Sequence, residues 1–177
     1  MISKKFRLIC ASLAAVSLLA FVGCSSDNTK ADENTDKPVV EESKKEDKEL
    51  KVGDTFEQDG LKVTVNKIRE VKPTDDFMKP DEGTKWVAAD VTIENIGNED
   101  AAISSVLNFK LLDKDGRSFD MAIVTDLKGS LDGALTAGRK MTGETAFSVP
   151  MDTQEVELEV NLNLTGKPNY IKATIEQ

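Results

Sequence analysis

The apolar positions of this chain fall into three regimes. Leu8 to Val22 is almost wholly apolar, interrupted only by Cys10, Ser12 and Ser17, and follows a basic tip carrying Lys4, Lys5 and Arg7. A run of about 15 residues is short for a membrane span but suits the apolar stretch of an export signal. From Ser25 to Leu50 apolar residues are sparse and have no period; Pro38 and the mixed-charge run Lys44-Lys45-Glu46-Asp47-Lys48-Glu49 stand there instead. A segment of that composition buries too little surface to offset its ordering entropy and is expected to be a disordered tether. As a flexible chain of ~26 residues it would span roughly 28 Å.

Beyond Lys51 the period becomes two. Leu61, Val63 and Val65 alternate with polar residues, and the apolar phase then slips to Ile68, which predicts a bulge near Asn66-Lys67. A short strand is expected over Val52 to Phe56, with Gln58-Asp59-Gly60 as the turn between them. Lys72 to Gly83 holds Pro73, Pro80 and four acids and reads as a loop. Lys85 to Ile96 is the clearest strand: Val87, Ala89, Val91 and Ile93 share one face, and Trp86, Ala88, Asp90, Thr92 and Glu94 the other.

Ile103 to Leu112 predicts another strand, with Leu107, Phe109 and Leu111 on one face. Asp113-Lys114-Asp115-Gly116 predicts a hairpin turn, with Arg117 to Val124 as the returning strand. After an irregular stretch, Thr125 to Gly138, come strands at Lys140 to Val149, Glu155 to Leu164 and Asn169 to Glu176. The face carrying Glu155, Glu157 and Glu159 should stay in water. Seven to eight strands with frequent turns predict an all-β, antiparallel β-sandwich. The expected organisation is residues 1–23 as signal peptide, 24–50 as modified N-terminus and charged linker, and 51–177 as the domain.

Charge and composition narrow the chemistry. The formal net charge is −9; removal of Lys4, Lys5 and Arg7 leaves 20 basic against 32 acidic side chains, a balance of −12. An acidic surface repels phosphate backbones, so no nucleic-acid partner is expected. The chain has no His, which removes the commonest general base and metal ligand. Its two cysteines are Cys10 and Cys24; loss of Cys10 with the signal leaves one thiol and no intramolecular disulfide.

Phe21-Val22-Gly23-Cys24 and the small polar residues after it resemble a bacterial lipobox, with Phe21 where Leu is common. The resemblance implies cleavage between Gly23 and Cys24 and a diacylglyceryl group on the Cys24 sulfur, whose nucleophilicity the thioether linkage requires. Two acyl chains anchor stably where one is marginal. The expected location is the extracytoplasmic face of the cell membrane; the alternatives are an ordinary signal with free secretion and a retained single span.

Three further stretches carry a second resemblance: Val52-Gly53-Asp54 with Gly60 and Val63; Trp86 to Ile93 leading into Asn95-x-Gly97; and Phe109 to Gly116, followed by Gly138, Gly143, Phe147 and Val149-Pro150. Together they are similar to a domain of unknown function in Gram-positive lipoproteins, related to the immunoprotective extracellular proteins. That resemblance implies an immunoglobulin-like sandwich over about Leu50 to Leu164 and transfers no catalytic residue.

Candidate chemistry is sparse. Asp75, Asp76, Asp81 and Glu82 share a loop, and Asp113-x-Asp115-Gly116 superficially matches part of a calcium loop, but neither has the spacing of a metal site. Trp86 is expected to pack against a sheet, and Tyr170 is the only Tyr. Arg139-Lys140 is an exposed basic pair that could meet an anion. No nucleophile-elbow, S-x-x-K or phosphate-loop pattern occurs. We expect no catalytic residue, metal or cofactor, and a binding or interaction module in the cell envelope; a small-ligand or metal-binding accessory is the alternative.

Overall fold

The computed structural model describes residues 49–74 and 77–177. The signal segment, Gly23, Cys24, the linker up to Lys48 and the Asp75-Asp76 pair lie outside the described residues. The strands are β1 (Leu50–Lys51), β2 (Thr55–Gln58), β3 (Leu61–Val71), β4 (Thr84–Asn95), β5 (Ala101–Ile103), β6 (Phe109–Leu112), β7 (Asp120–Met121), β8 (Gly133–Leu135), β9 (Lys140–Pro150), β10 (Glu155–Val160) and β11 (Asn169–Thr174), with one helical turn, α1 (Ser105–Asn108), before β6. They form a four-stranded sheet, β1-β11-β10-β6, a five-stranded sheet, β2-β3-β4-β9-β7, and a small pair, β5-β8. The fold is the expected immunoglobulin-like β-sandwich, antiparallel except for the parallel β1–β11 pair, and among the described residues it has eleven strands rather than seven to eight because several have only two or three residues.

Period-two alternation builds the core. Val63, Val65, Val87, Val91, Ile93, Phe147 and Val149 from the larger sheet meet Phe109, Leu111, Val156, Leu158, Val160 and Ile171 from the smaller one, all buried. Each such side chain contributes about 1.5–3 kcal/mol on burial. The predicted bulge is present: the β3–β4 register shifts between Val65 and Lys67. The extra residue, Asn66, donates from Nδ2 to Asp90 Oδ1 at 2.8 Å and to Thr92 Oγ1 at 2.9 Å. The bulge lets Ile68 return to the core. The β2–β3 turn is held by Asp59 at φ 51° and Gly60 at φ 77°, two successive left-handed residues.

Four expected strands differ in the structure; one of them, Glu155 to Leu164, stops at Val160 and leaves Leu164 exposed. Val52 to Phe56 is not one strand: Gly53, at φ 89°, donates its N–H to Val65 O at 2.8 Å and carries the chain from the smaller sheet to the larger. Ile103 to Leu112 is broken by α1, because the buried Asn108 accepts from Ser104 N at 2.8 Å and donates to Asn161 O at 2.8 Å. Leu107 is therefore exposed rather than aligned with Phe109 and Leu111. Arg117 to Val124 does not return as a full partner of β6. Phe119 N–H reaches Leu111 O at 2.8 Å, and then β7 crosses to pair with Phe147 and Ser148 of β9. Gly143 in β9 permits a close crossing: a Cβ there would lie 2.5 Å from the Ser130 carbonyl carbon.

Candidate functional site

The two sheets present unlike outer faces. On the five-stranded sheet, Val71, Trp86, Ala88 and Ala146 project outward and are covered by Val124, Met78, Ala122 and Leu127 from the two loops flanking β3–β4 and β7. Trp86 is only 8% exposed, so the expected packing role holds. Beside it, Arg69 grips Glu144 through Nε and Nη2, at 3.0, 2.9 and 2.8 Å. The Lys128 N–H also donates to Glu144 at 2.9 Å, fastening the covering loop to the sheet. The Glu144 side chain is 2% exposed. A buried carboxylate needs such partners, since its desolvation costs several kcal/mol.

The outer face of the four-stranded sheet is open. Register places Lys110 and Leu112 of β6, Glu155, Glu157 and Glu159 of β10, and Tyr170 and Lys172 of β11 side by side. Lys51 of β1 lies next to Lys172 through the parallel β1–β11 pair. Two grooves, of about 870 and 460 Å³, lie along this face, and Gly116 of the 113–118 hairpin lines both. Glu157 borders both.

Lys110 Nζ donates to Glu159 Oε1 at 2.8 Å, which holds the Lys110 ammonium above its ordinary value. Glu49 pairs with Lys172. The hydrogen bond from Lys172 lowers the Glu49 carboxyl, and the same bond raises Lys172. Desolvation first, then the Glu159 carboxylate, raises the Tyr170 phenol; the residue as a whole is 43% exposed.

The remaining sequence candidates separate. Asp113 Oδ1 accepts the N–H groups of Asp115 and Arg117, each at 2.8 Å, and backbone bonding from Arg117 above all lowers its carboxyl. Arg117 Nη1 also lies 3.0 Å from Asp115. Those oxygens close the hairpin turn. Asp81 and Glu82 are exposed, and the Asp81 carbonyl accepts from Thr84. Among the described residues, no group of three or more His, Cys, Asp or Glu side chains is placed to hold a metal. Arg139 serves through its backbone, its carbonyl accepting from Asn95 N–H at 2.9 Å. The structure thus brings together Tyr170 and the predicted acidic face, and keeps Trp86 and Arg139-Lys140 apart from them. Lys110, Lys172 and Leu112 complete that face; only the cross-strand register reveals them.

Residues 50–170 match the family model described as a domain of unknown function, DUF4352. An uncharacterized lipoprotein, YjhA of Bacillus subtilis, is 32% identical over 126 residues, which span 64% of this chain and 58% of that one. The crystal structure of the yjhA protein from the same organism superposes with a TM-score of 0.59 at 23% identity, over 72% of this chain and 99% of that one. The ycdA protein of Bacillus subtilis gives a TM-score of 0.56 at 18% identity, over 71% and 39%. The two structural likenesses speak to the fold.

Proposed function

The chain belongs to the DUF4352 family, and from that premise we propose that it is a lipid-anchored binding module on the extracytoplasmic face of the cell membrane. Cys24 carries the anchor, the following residues serve as tether, and the domain from β1 onward presents its open sheet face to a protein or envelope ligand. The lipobox resemblance and the relative's description as a lipoprotein support the anchor. The observation that carries the binding role is the asymmetry of the sandwich. One end of one outer face is covered by loops fastened through a buried ion pair, while the other face offers two grooves that share Gly116 and Glu157 beside an exposed Tyr170. Exposed polar faces with an aromatic anchor suit non-catalytic recognition.

Photo-cross-linking in cells tests the role. A photoreactive side chain at position 157, on the open face, is expected to give a discrete adduct with another envelope component; the same group at position 92, on the opposite sheet, is not. Equal adducts from both positions, or none from position 157, would contradict the reading.

A further inference from the structure

Beyond its covered end, the outer face of the five-stranded sheet is a regular grid. Register sets Thr55, Thr64, Thr92 and Thr142 opposite one another across β2, β3, β4 and β9. Their hydroxyls join in pairs, Thr55 with Thr64 at 3.0 Å and Thr92 with Thr142 at 2.9 Å. Next to that row, and farther from Trp86, a second row runs Glu57, Lys62, Glu94, Lys140. In both rows the residues on β2 and β9 are exposed and those on β3 and β4 half-buried. None of the four charged side chains holds an ion pair among the described residues. None of the eight residues belongs to the apolar group under the loops.

The charged row is self-complementary. Read from β2 to β9 it runs acid, base, acid, base; read backwards it runs base, acid, base, acid. We propose that this face pairs with the same face of a second copy of the chain. The two-fold axis runs along the strands, in the plane between the copies, midway between β3 and β4. It sets Glu57 opposite Lys140 of the second copy and Lys62 opposite Glu94, each pair occurring twice, and lays one threonine row on the other. The strands of the two sheets are then aligned, as in ordinary sheet-on-sheet packing. The chain as a whole carries a charge of −9, so copies repel over most of their surface. Glu57 and Glu94 balance Lys62 and Lys140, so this row is a neutral place where like-charged copies can meet. The loops over Trp86 stand at the far end of the sheet and confine the contact to these two rows. Four strands span about 14 Å and the rows lie about 7 Å apart, far less than the ~1,000 Å² of a stable interface. The pairing is therefore weak and screened by salt. It uses a face other than the one proposed for recognition and does not depend on that reading.

Zero-length carbodiimide cross-linking of the full mature chain tests it. An equal mixture of light and isotopically heavy protein lets peptide mass spectrometry separate amides between copies from amides within one. The diagnostic link is Glu57 to Lys140: within one chain they are three strands apart, about 14 Å, too far for a direct amide. The expected result at low salt is a light–heavy Glu57–Lys140 link whose yield falls several-fold in ~0.5 M salt. Lys62→Glu alone and Glu94→Lys alone each set like charges opposite one another, and each should lose most of the link. Mixing the two variants should restore it, because the acidic centre of one row then faces the basic centre of the other. The Lys110–Glu159 link within one chain checks that each variant is folded. A photoreactive side chain at position 92 lies within this contact, so its adduct should be two copies of the chain and not one with another envelope component. Absence of the Glu57–Lys140 link from the wild-type mixture would overturn the proposal. So would a link that survives either single change, mixed variants that stay unlinked, or copies joined only through the outer face of the four-stranded sheet.

Discussion

The outer faces of the two sheets were built by the same alternation and ended differently. On β4 the outward positions at one end are Trp86 and Ala88; on β10 they are Glu155, Glu157 and Glu159. Apolar outward residues had to be covered, and the loops around Met78 and Val124 cover them. Charged outward residues needed no cover, so the 113–118 hairpin merely flanks two grooves. Spending loops on one face leaves the other available. The difference teaches where stability and recognition should separate under mutation.

The largest effect should come from the sealed face. Trp86→Ala removes the largest side chain of the apolar group under the covering loops and is expected to cost about 3–5 kcal/mol in chemical denaturation. Loss of under about 1 kcal/mol would show that the loops cover nothing of consequence. Arg69→Ala strands a buried carboxylate with only the Lys128 N–H as partner, at a cost of roughly 3 kcal/mol. Here Glu144→Gln in the Arg69→Ala background sharpens the point, since neutralising the stranded charge should recover part of the loss. On the open face, Glu155→Gln with Glu157→Gln should leave the unfolding free energy within about 0.5 kcal/mol of wild type, because neither carboxylate holds an ion pair among the described residues. A large loss would mean that the face is structural after all.

The smallest effect is at the edge where the tether arrives. Glu49 is lowered by its hydrogen bond to Lys172, so what it contributes is present above the ordinary carboxylate value of 4.5 and is lost as pH falls through the folded value. Lys172 is raised, so its share is fully present below 10.5 and fades only as pH climbs through its folded value. Between those limits β1 should stay docked. Backbone amide shifts of Leu50 and Lys51 are expected to move with a midpoint below 4.5; an unchanged spectrum down to pH 3 would show that the pair does not hold β1.

Much of the sandwich could be read from alternation alone. Leu61, Val63 and Val65, the slip to Ile68, and the face of Val87 to Ile93 all lie where their period put them, since burial of one sheet face dictates it. What the alternation could not show was where the chain changes sheets. Gly53 and the Phe119–Asp120 step look like ordinary strand or hairpin residues, and only tertiary pairing takes them across. Leu107 misled because the polar Asn108 next to it found buried partners, and hydrogen bonding overrode the apolar pattern. The open face was half legible. The glutamates of β10 read as water-facing, but Lys110 and Glu159 are 49 residues apart in sequence, and no local signal joins them. The proposed anchor at Cys24 rests on sequence, on Gly23-Cys24 and the polar residues after it, with Phe21 departing from the usual Leu.

The claim on which the rest depends is the anchor, and intact mass of the protein extracted from its native membrane tests it most directly, wild type beside Cys24→Ser. The account predicts a mass equal to residues 24–177 plus acyl groups, with the acyl mass absent from the Cys24→Ser protein. An unmodified wild-type mass would contradict it and make the domain a freely diffusing binding protein.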